Sequence, residues 1–144
     1  MRQSNSSSSF VAKIPSAALL LARNDATLHD FDMMPKNWSK AVVSAFHRSH
    51  PGRLTLHEGD SSCTVRRALS SPGGGAALCD RFFVDDGHSN RAVTNDFRAA
   101  MHFTRPGGLV MIDDCTTRFP DIKPAWESLL AQGLLERSHC VIKR

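Results

Sequence analysis

The chain has 144 residues, 18 of them basic and 14 acidic, for a formal charge of +4. That length admits one domain with a true core, and 41% apolar with 22% charged residues excludes wholesale disorder. The apolar run Ala17–Ala22 is too short to span a membrane, and with only Arg2 and Lys13 before it no secretory signal is expected.

In chain order, Met1–Ser9 is polar, ends in four serines and is expected to be a mobile tail, leaving residues 10–144 as one domain. Pro15–Arg23 reads as a short apolar helix and Thr27–Phe31 as a strand ended by Asp32. Trp38, Val42 and Phe46 share a helix face, with Asn37 as N-cap and Pro51-Gly52 as the stop. Arg53–His57 alternates as a strand and leads through Glu58-Gly59-Asp60 into a helix over Ser62–Leu69. After the loop Ser71–Gly75, Leu78–Val84 is a strand ending in Asp85-Asp86-Gly87. Asn90–Thr104 is helical, with Val93, Phe97, Ala100 and Met101 on one face. Pro106-Gly107-Gly108 breaks it before the apolar strand Leu109–Ile112, which ends in Asp113-Asp114. Asp121 caps a last helix burying Ile122, Trp126, Leu129 and Leu130 as far as Gly133, and Ser138–Ile142 reads as a final strand.

Strands alternating with helices of this length predict a doubly wound, mostly parallel α/β sheet with helices on both faces. The continuous apolar strands Phe82–Val84 and Leu109–Ile112 fit burial on both sides.

Four successive strands thus lead into acids: Asp32, Asp60, Asp85 and Asp113. In an open parallel sheet these ends share one edge, where ligands bind. Asp85, Asp113 and Asp114 offer hard oxygen donors suited to Mg²⁺ or Ca²⁺. The alternative is that Asp114 caps a turn and only Asp85 and Asp113 face the cleft. His88 follows Asp85 by three residues, placed either as a general base near neutral pH or as a loop cap. His47 and His50 lack a third ligand, and Trp38 and Trp126 belong to helix packing. The cysteines Cys63, Cys79, Cys115 and Cys140 form no CxxC pair, so reduced thiols in a cytoplasmic setting are expected. Basic residues are dispersed, with Arg66-Arg67 the one internal doublet, so neither nucleic acid nor membrane is expected as a partner.

The segments Asp80-Arg81-Phe82-Phe83-Val84-Asp85-Asp86-Gly87-His88-Ser89 and Pro106-Gly107-Gly108-Leu109-Val110-Met111-Ile112-Asp113-Asp114 resemble the class I S-adenosylmethionine-dependent methyltransferases. The branch they resemble carries "FVDGGHS" and "PGG…DD" segments. Phe31-Asp32 and Pro51-Gly52-Arg53-Leu54-Thr55-Leu56-His57-Glu58-Gly59-Asp60-Ser61 fit the same order, so the likeness runs from about Ser16 to Gly133. It implies a Rossmann-like fold with S-adenosylmethionine as cofactor. Asp32 would bind the ribose hydroxyls, and Asp60 and Ser61 would edge the adenine. In the metal-dependent catechol-type relatives, Asp85, Asp113 and Asp114 match the Mg²⁺ positions, and His88 stands where those relatives carry a lysine base. His88 and Asp85 are therefore the candidate catalytic residues.

Two departures stand out. No glycine occurs in Ser6–Ile14, where the family's glycine-rich cofactor loop is expected, and the first strand would have to come from Phe10–Ile14 or be missing. Asp86 replaces a glycine of the "VDGGH" segment. The expectation is a methyltransferase-like domain, truncated at the front, that O-methylates a small molecule with metal assistance. The runner-up is a degenerate or fragmentary domain acting as a binding module. A divalent-metal hydrolase using the same acids is the third class, without a nucleophile or phosphate loop to support it.

Overall fold

The computed structural model describes residues 7–9, 25–33, 37–70, 78–85, 89–113, 115, 116 and 118–135. The strands are β1 (Ser7–Ser9), β2 (Thr27–Asp32), β3 (Leu54–Glu58), β4 (Cys79–Val84) and β5 (Thr104–Ile112). The helices are α1 (Asn37–Ser49), α2 (Ser61–Leu69), α3 (Asn90–Phe103) and α4 (Ile122–Ala131).

β1 pairs with β2, β2 with β3 and β4 with β5, every pair parallel. The strands form two parallel ladders, β3-β2-β1 and β4-β5, and β1 packs beside β4 without a ladder between them, giving the spatial order β3-β2-β1-β4-β5. This is the doubly wound order, with its crossover reversal between β1 and β4. Ser7–Ser9, expected within a polar tail, instead supply the strand at that reversal. Their backbone groups bond to β2 whatever the side chains are, so polarity did not bar a strand there. The strand expected within Phe10–Ile14, the helix Pro15–Arg23 and the strand Ser138–Ile142 lie outside the described residues.

Alternation along the strands builds two apolar layers. Phe31, Phe82 and Val84 face α2, α3 and α4, joining Val65, Leu69, Val93, Phe97, Phe103 and Leu129 in the main core. Leu28 and Leu54 point the other way, with Val43 and Phe46 of α1, Phe83 and Met111 packed on them. Helices cover both faces, as the sequence predicts. Phe97 meets Trp126 edge-on at 5.8 Å, which places that tryptophan in packing between α3 and α4.

Element ends follow local chemistry with small shifts. Asp60 caps α2, its Oδ1 accepting from the Ser62 N–H at 2.8 Å. Ser89 caps α3 through the Ala92 N–H. Asp121 precedes α4 in helical conformation and makes no side-chain cap bond, contrary to expectation. Gly133, at φ 68°, ends α4 with the Leu134 N–H donating to the Leu129 carbonyl. β5 starts earlier than expected, at Thr104, and is irregular: Cys79 pairs with Thr104, but Arg81 already pairs with Leu109. Pro106–Gly108 fills the difference, and the Arg105–Asp80 ion pair spans it. Leu109 remains 50% exposed, so β5 is not buried on both sides as its apolar run suggested.

Candidate functional site

β2 and β3 deliver acids to the same edge. Asp32 is the last residue of β2 and lies in register with Glu58, the last of β3. The Gly59 N–H donates to the Asp32 carbonyl at 3.1 Å, drawing the turn after β3 against the end of β2. Gly59 sits at φ 133°, a conformation that side-chain-bearing residues avoid, so glycine is required for this turn. Lys40 of α1 pairs with Glu58 at 3.4 Å.

Asp60 and Ser61 follow at once. Asp60 is exposed, and hydrogen bonds from Ser62, then the charge of Arg91, hold its carboxyl below the ordinary range. The Ser61 hydroxyl is turned inward and donates to Asp96 Oδ1 on α3 at 2.8 Å. The Ser61 hydroxyl hydrogen is thus engaged, and its backbone N–H is one of the donors a helix start leaves over.

Across the reversal, Asp85 directly follows β4 and Asp113 directly follows β5. The Asp113 N–H donates to the Val84 carbonyl at 3.0 Å, which brings the two strand ends together. α2 starts just past the end of β3, and α3 just past β4. The Ser61–Asp96 bond between these helices shows that both sets of carboxyl ends face one edge. Asp32 thus ends β2, Asp60 follows β3, and Asp85 and Asp113 follow β4 and β5, each at the carboxyl end of a parallel strand. Asp114, His88 and Asp86 lie outside the described residues, as does most of the segment between β1 and β2. Among the described residues no three His, Cys, Asp or Glu side chains converge as a metal cage.

Two arrangements escaped the sequence reading. His29 Nδ1 and His57 Nε2 lie 2.9 Å apart, and Phe31 stacks on His57 at 4.6 Å. Burial lowers the pKa of both, and for His57 the charges of His29 and Arg67 add to it. Asp96 is the other: a carboxylate among Val93, Phe97 and Ala100 on the apolar stripe of α3 was the visible signal. A cavity of about 450 Å³ lies between α3 and α4, floored by Phe97, Met101 and Leu129, and contains none of the candidate site residues. No helix among the described residues is long and apolar enough to cross a membrane.

Residues 14–115, well over half of the chain, match a family model described as a methyltransferase domain. Among curated proteins none matches the sequence. The fold is similar to the apo form of CalS11, a TDP-rhamnose 3'-O-methyltransferase of calicheamicin biosynthesis. That match has TM-score 0.64 and 19% identity, covering 90% of this chain and 64% of that one. It is similar also to precorrin-8w decarboxylase of Methanobacterium thermoautotrophicum, at TM-score 0.64 and 17% identity, over 90% of this chain and 63% of that one. A candidate rRNA methylase from Clostridium thermocellum aligns at TM-score 0.65 and 13% identity, over 88% and 70% of the two chains. The chain thus spans under two thirds of the length of the first two.

Proposed function

The chain belongs to the methyltransferase-domain family, and from that premise we propose that it takes S-adenosylmethionine as methyl donor and O-methylates a small molecule. The observation that supports this reading is that Asp32, Asp85 and Asp113 stand at the carboxyl ends of parallel strands on the two sides of the β1–β4 reversal, with Asp60 just after β3. Asp32, at the tip of β2, suits the two ribose hydroxyls, because a carboxylate accepts from both. Gly59–Ser61, tied to the Asp32 backbone, would lie along the adenine. The acceptor would then sit over the ends of β4 and β5, beside Asp85 and Asp113.

The transfer itself is a displacement at carbon. An oxygen lone pair of the acceptor forms the new O–CH₃ bond while the carbon–sulfur bond breaks, leaving S-adenosylhomocysteine. The acceptor's hydroxyl proton must leave to a base, for which His88 and Asp85 are the candidates, and alignment of donor and acceptor supplies much of the rate. Asp85 and Asp113 are hard carboxylate donors on adjacent strand ends, a set that fits Mg²⁺ with water in the remaining positions. Asp114 would be the third donor. A cation held there would lower the pKa of the acceptor hydroxyl. The dispersed basic residues favour a small acceptor over nucleic acid, and the absence of paired cysteine motifs favours a cytoplasmic setting.

One observation supports a second reading, a domain that keeps the fold and has lost most donor binding. From Phe10 to Ala26, between β1 and β2, the sequence contains no glycine. The loop leaving β1 at the reversal would approach the donor's backbone-binding end without the residue that allows close approach. Titration with S-adenosylmethionine, followed by transfer of a labelled methyl group to catechol and sugar hydroxyl acceptors, tests both. Binding that Asp32→Ala abolishes, together with transfer, supports the enzyme. Binding without transfer to any acceptor leaves the binding module, and absence of binding removes the methyltransferase reading.

A further inference from the structure

We propose that Asp96 is a positioning residue that holds Asp60 and Ser61 in place to read the donor's adenine ring, an inference that rests on the reading of this domain as an S-adenosylmethionine binder. Asp96 lies in the second turn of α3 and is 7% exposed. An apolar residue on this stripe would pack α3 against α2 without the desolvation cost of a buried carboxylate. The carboxylate does something an apolar side chain does not. It accepts the Ser61 hydroxyl at 2.8 Å and so fixes the first residue of α2 laterally.

The turn after β3 is thereby held at both ends. At its start the Gly59 N–H bonds to the Asp32 carbonyl at 3.1 Å, and at its end Ser61 bonds to Asp96. Asp60 is the residue between these two anchors. Its Oδ1 takes the Ser62 N–H at 2.8 Å, and its charge is drawn toward Arg91, one turn and a half before Asp96 on the same helix. A carboxylate has about four acceptor sites on its two oxygens, so the hydrogen bonds from the Ser62 hydroxyl and N–H leave Asp60 able to accept a further hydrogen. The exocyclic amine of adenine is such a donor, whereas hypoxanthine presents a carbonyl oxygen in its place. A fixed Asp60 discriminates between them; an Asp60 that wanders does not.

The experiment compares adenosine with inosine by titration on the full chain, in wild type, Ser61→Ala, Asp96→Ala and Asp96→Asn. Wild type is expected to prefer adenosine by about tenfold, the value of one well-placed hydrogen bond of about 1.4 kcal/mol. Ser61→Ala and Asp96→Ala should bring the ratio near one, and Asp96→Asn, whose amide oxygen still accepts from Ser61, should retain it. Should Asp96→Ala not fold, Ser61→Ala carries the test, since it removes only a hydroxyl. A ratio unchanged in Ser61→Ala overturns the positioning role while the donor-binding reading stands. Equal loss of both nucleosides would make Asp96 a merely structural residue. If wild type binds neither nucleoside nor S-adenosylhomocysteine, the donor-binding reading falls and the positioning role with it.

Discussion

His29 Nδ1 and His57 Nε2 approach to 2.9 Å across adjacent strands, with their rings stacked at 10°. One ring must donate and the other accept, so the contact needs at least one neutral imidazole. Burial lowers the pKa of both rings from 6.5, and Arg67, on α2 over the sheet, adds positive charge near His57. In the unfolded chain these groups take up protons near 6.5, whereas the folded chain resists until lower pH. The unfolded state therefore binds more protons in that window, and stability rises with pH there. The pair's contribution should be whole above the unfolded pKa of 6.5 and drain away as pH falls through the lowered folded values. The depressed Asp60 carboxyl also loses its contribution on acidification, but below that window. Thermal melts of wild type and His57→Gln between these limits check the point: wild type should show the steeper fall. Parallel curves would mean that the pair does not govern the pH response.

Phe97 is fully buried between strand layer and α4, in edge-on contact with Trp126. Removing it leaves a cavity at the centre of the main core, so Phe97→Ala should destabilise the fold by about 3–5 kcal/mol in urea unfolding. Leu109→Ala, at a half-exposed position on β5, should stay within about 1 kcal/mol. Similar losses for both would contradict the placement of the core.

Gly108 is needed for a different reason. A Cβ built there would lie 2.5 Å from Thr104 Cγ2, 2.8 Å from the Arg105 carbonyl oxygen and 3.0 Å from that of Asp80. Two of these are backbone atoms, so the bulge between β4 and β5 would have to open. Gly108→Ala should cost about 1–3 kcal/mol. Gly107→Ala meets no atom but holds φ at 74°, for a cost of about 1–2 kcal/mol. A double substitution that costs no more than Gly108→Ala alone would show that the bulge had already rearranged.

Most of the fold was legible because its signals are local. The apolar stripe of α3 and the glycine after α4 each act within a few residues. The parallel direction of the strands was legible too, and it puts Asp32, Asp85 and Asp113 at carboxyl ends of their strands. What escaped depended on partners distant in sequence. Ser7–Ser9 carry no strand signal in their side chains; pairing with Thr27–His29 makes them β1. Ser61 looked like a residue facing ligand, but its hydroxyl is directed by Asp96, 35 residues away. Leu109 looked fully buried because its neighbours are apolar, yet the start of β5 is bulged and its exposure follows from that.

The carboxylates of Asp85 and Asp113 give the metal proposal its test. If the proposed site takes a divalent cation in the folded state, the cation would raise stability by mass action. Millimolar Mg²⁺ or Mn²⁺ should raise the melting temperature of wild type and leave Asp113→Asn nearly unmoved. Equal melting curves with and without metal in both proteins would take the cation out of the mechanism.

The last expectation concerns how the donor divides between the two sides of the sheet reversal. On the proposed reading ribose and adenine would lie on the β2–β3 side, where the Gly59–Asp32 and Ser61–Asp96 bonds hold the turn that carries Asp60. The amino-acid end of the donor would fall to the segment between β1 and β2, whose sequence from Phe10 to Ala26 has no glycine. Loss of close backbone contact at that end would weaken binding by several tenfold steps, each about 1.4 kcal/mol. S-adenosylhomocysteine should therefore bind this chain only slightly more tightly than adenosine, because the homocysteine moiety adds little. Asp32→Ala should weaken both ligands alike, since the ribose contact is common to them. Calorimetric titration of the two ligands on wild type and Asp32→Ala measures this directly. Low-micromolar S-adenosylhomocysteine with adenosine far weaker would show that residues 10–26 rebuild the amino-acid pocket without glycine, and the degenerate-domain reading would then fall.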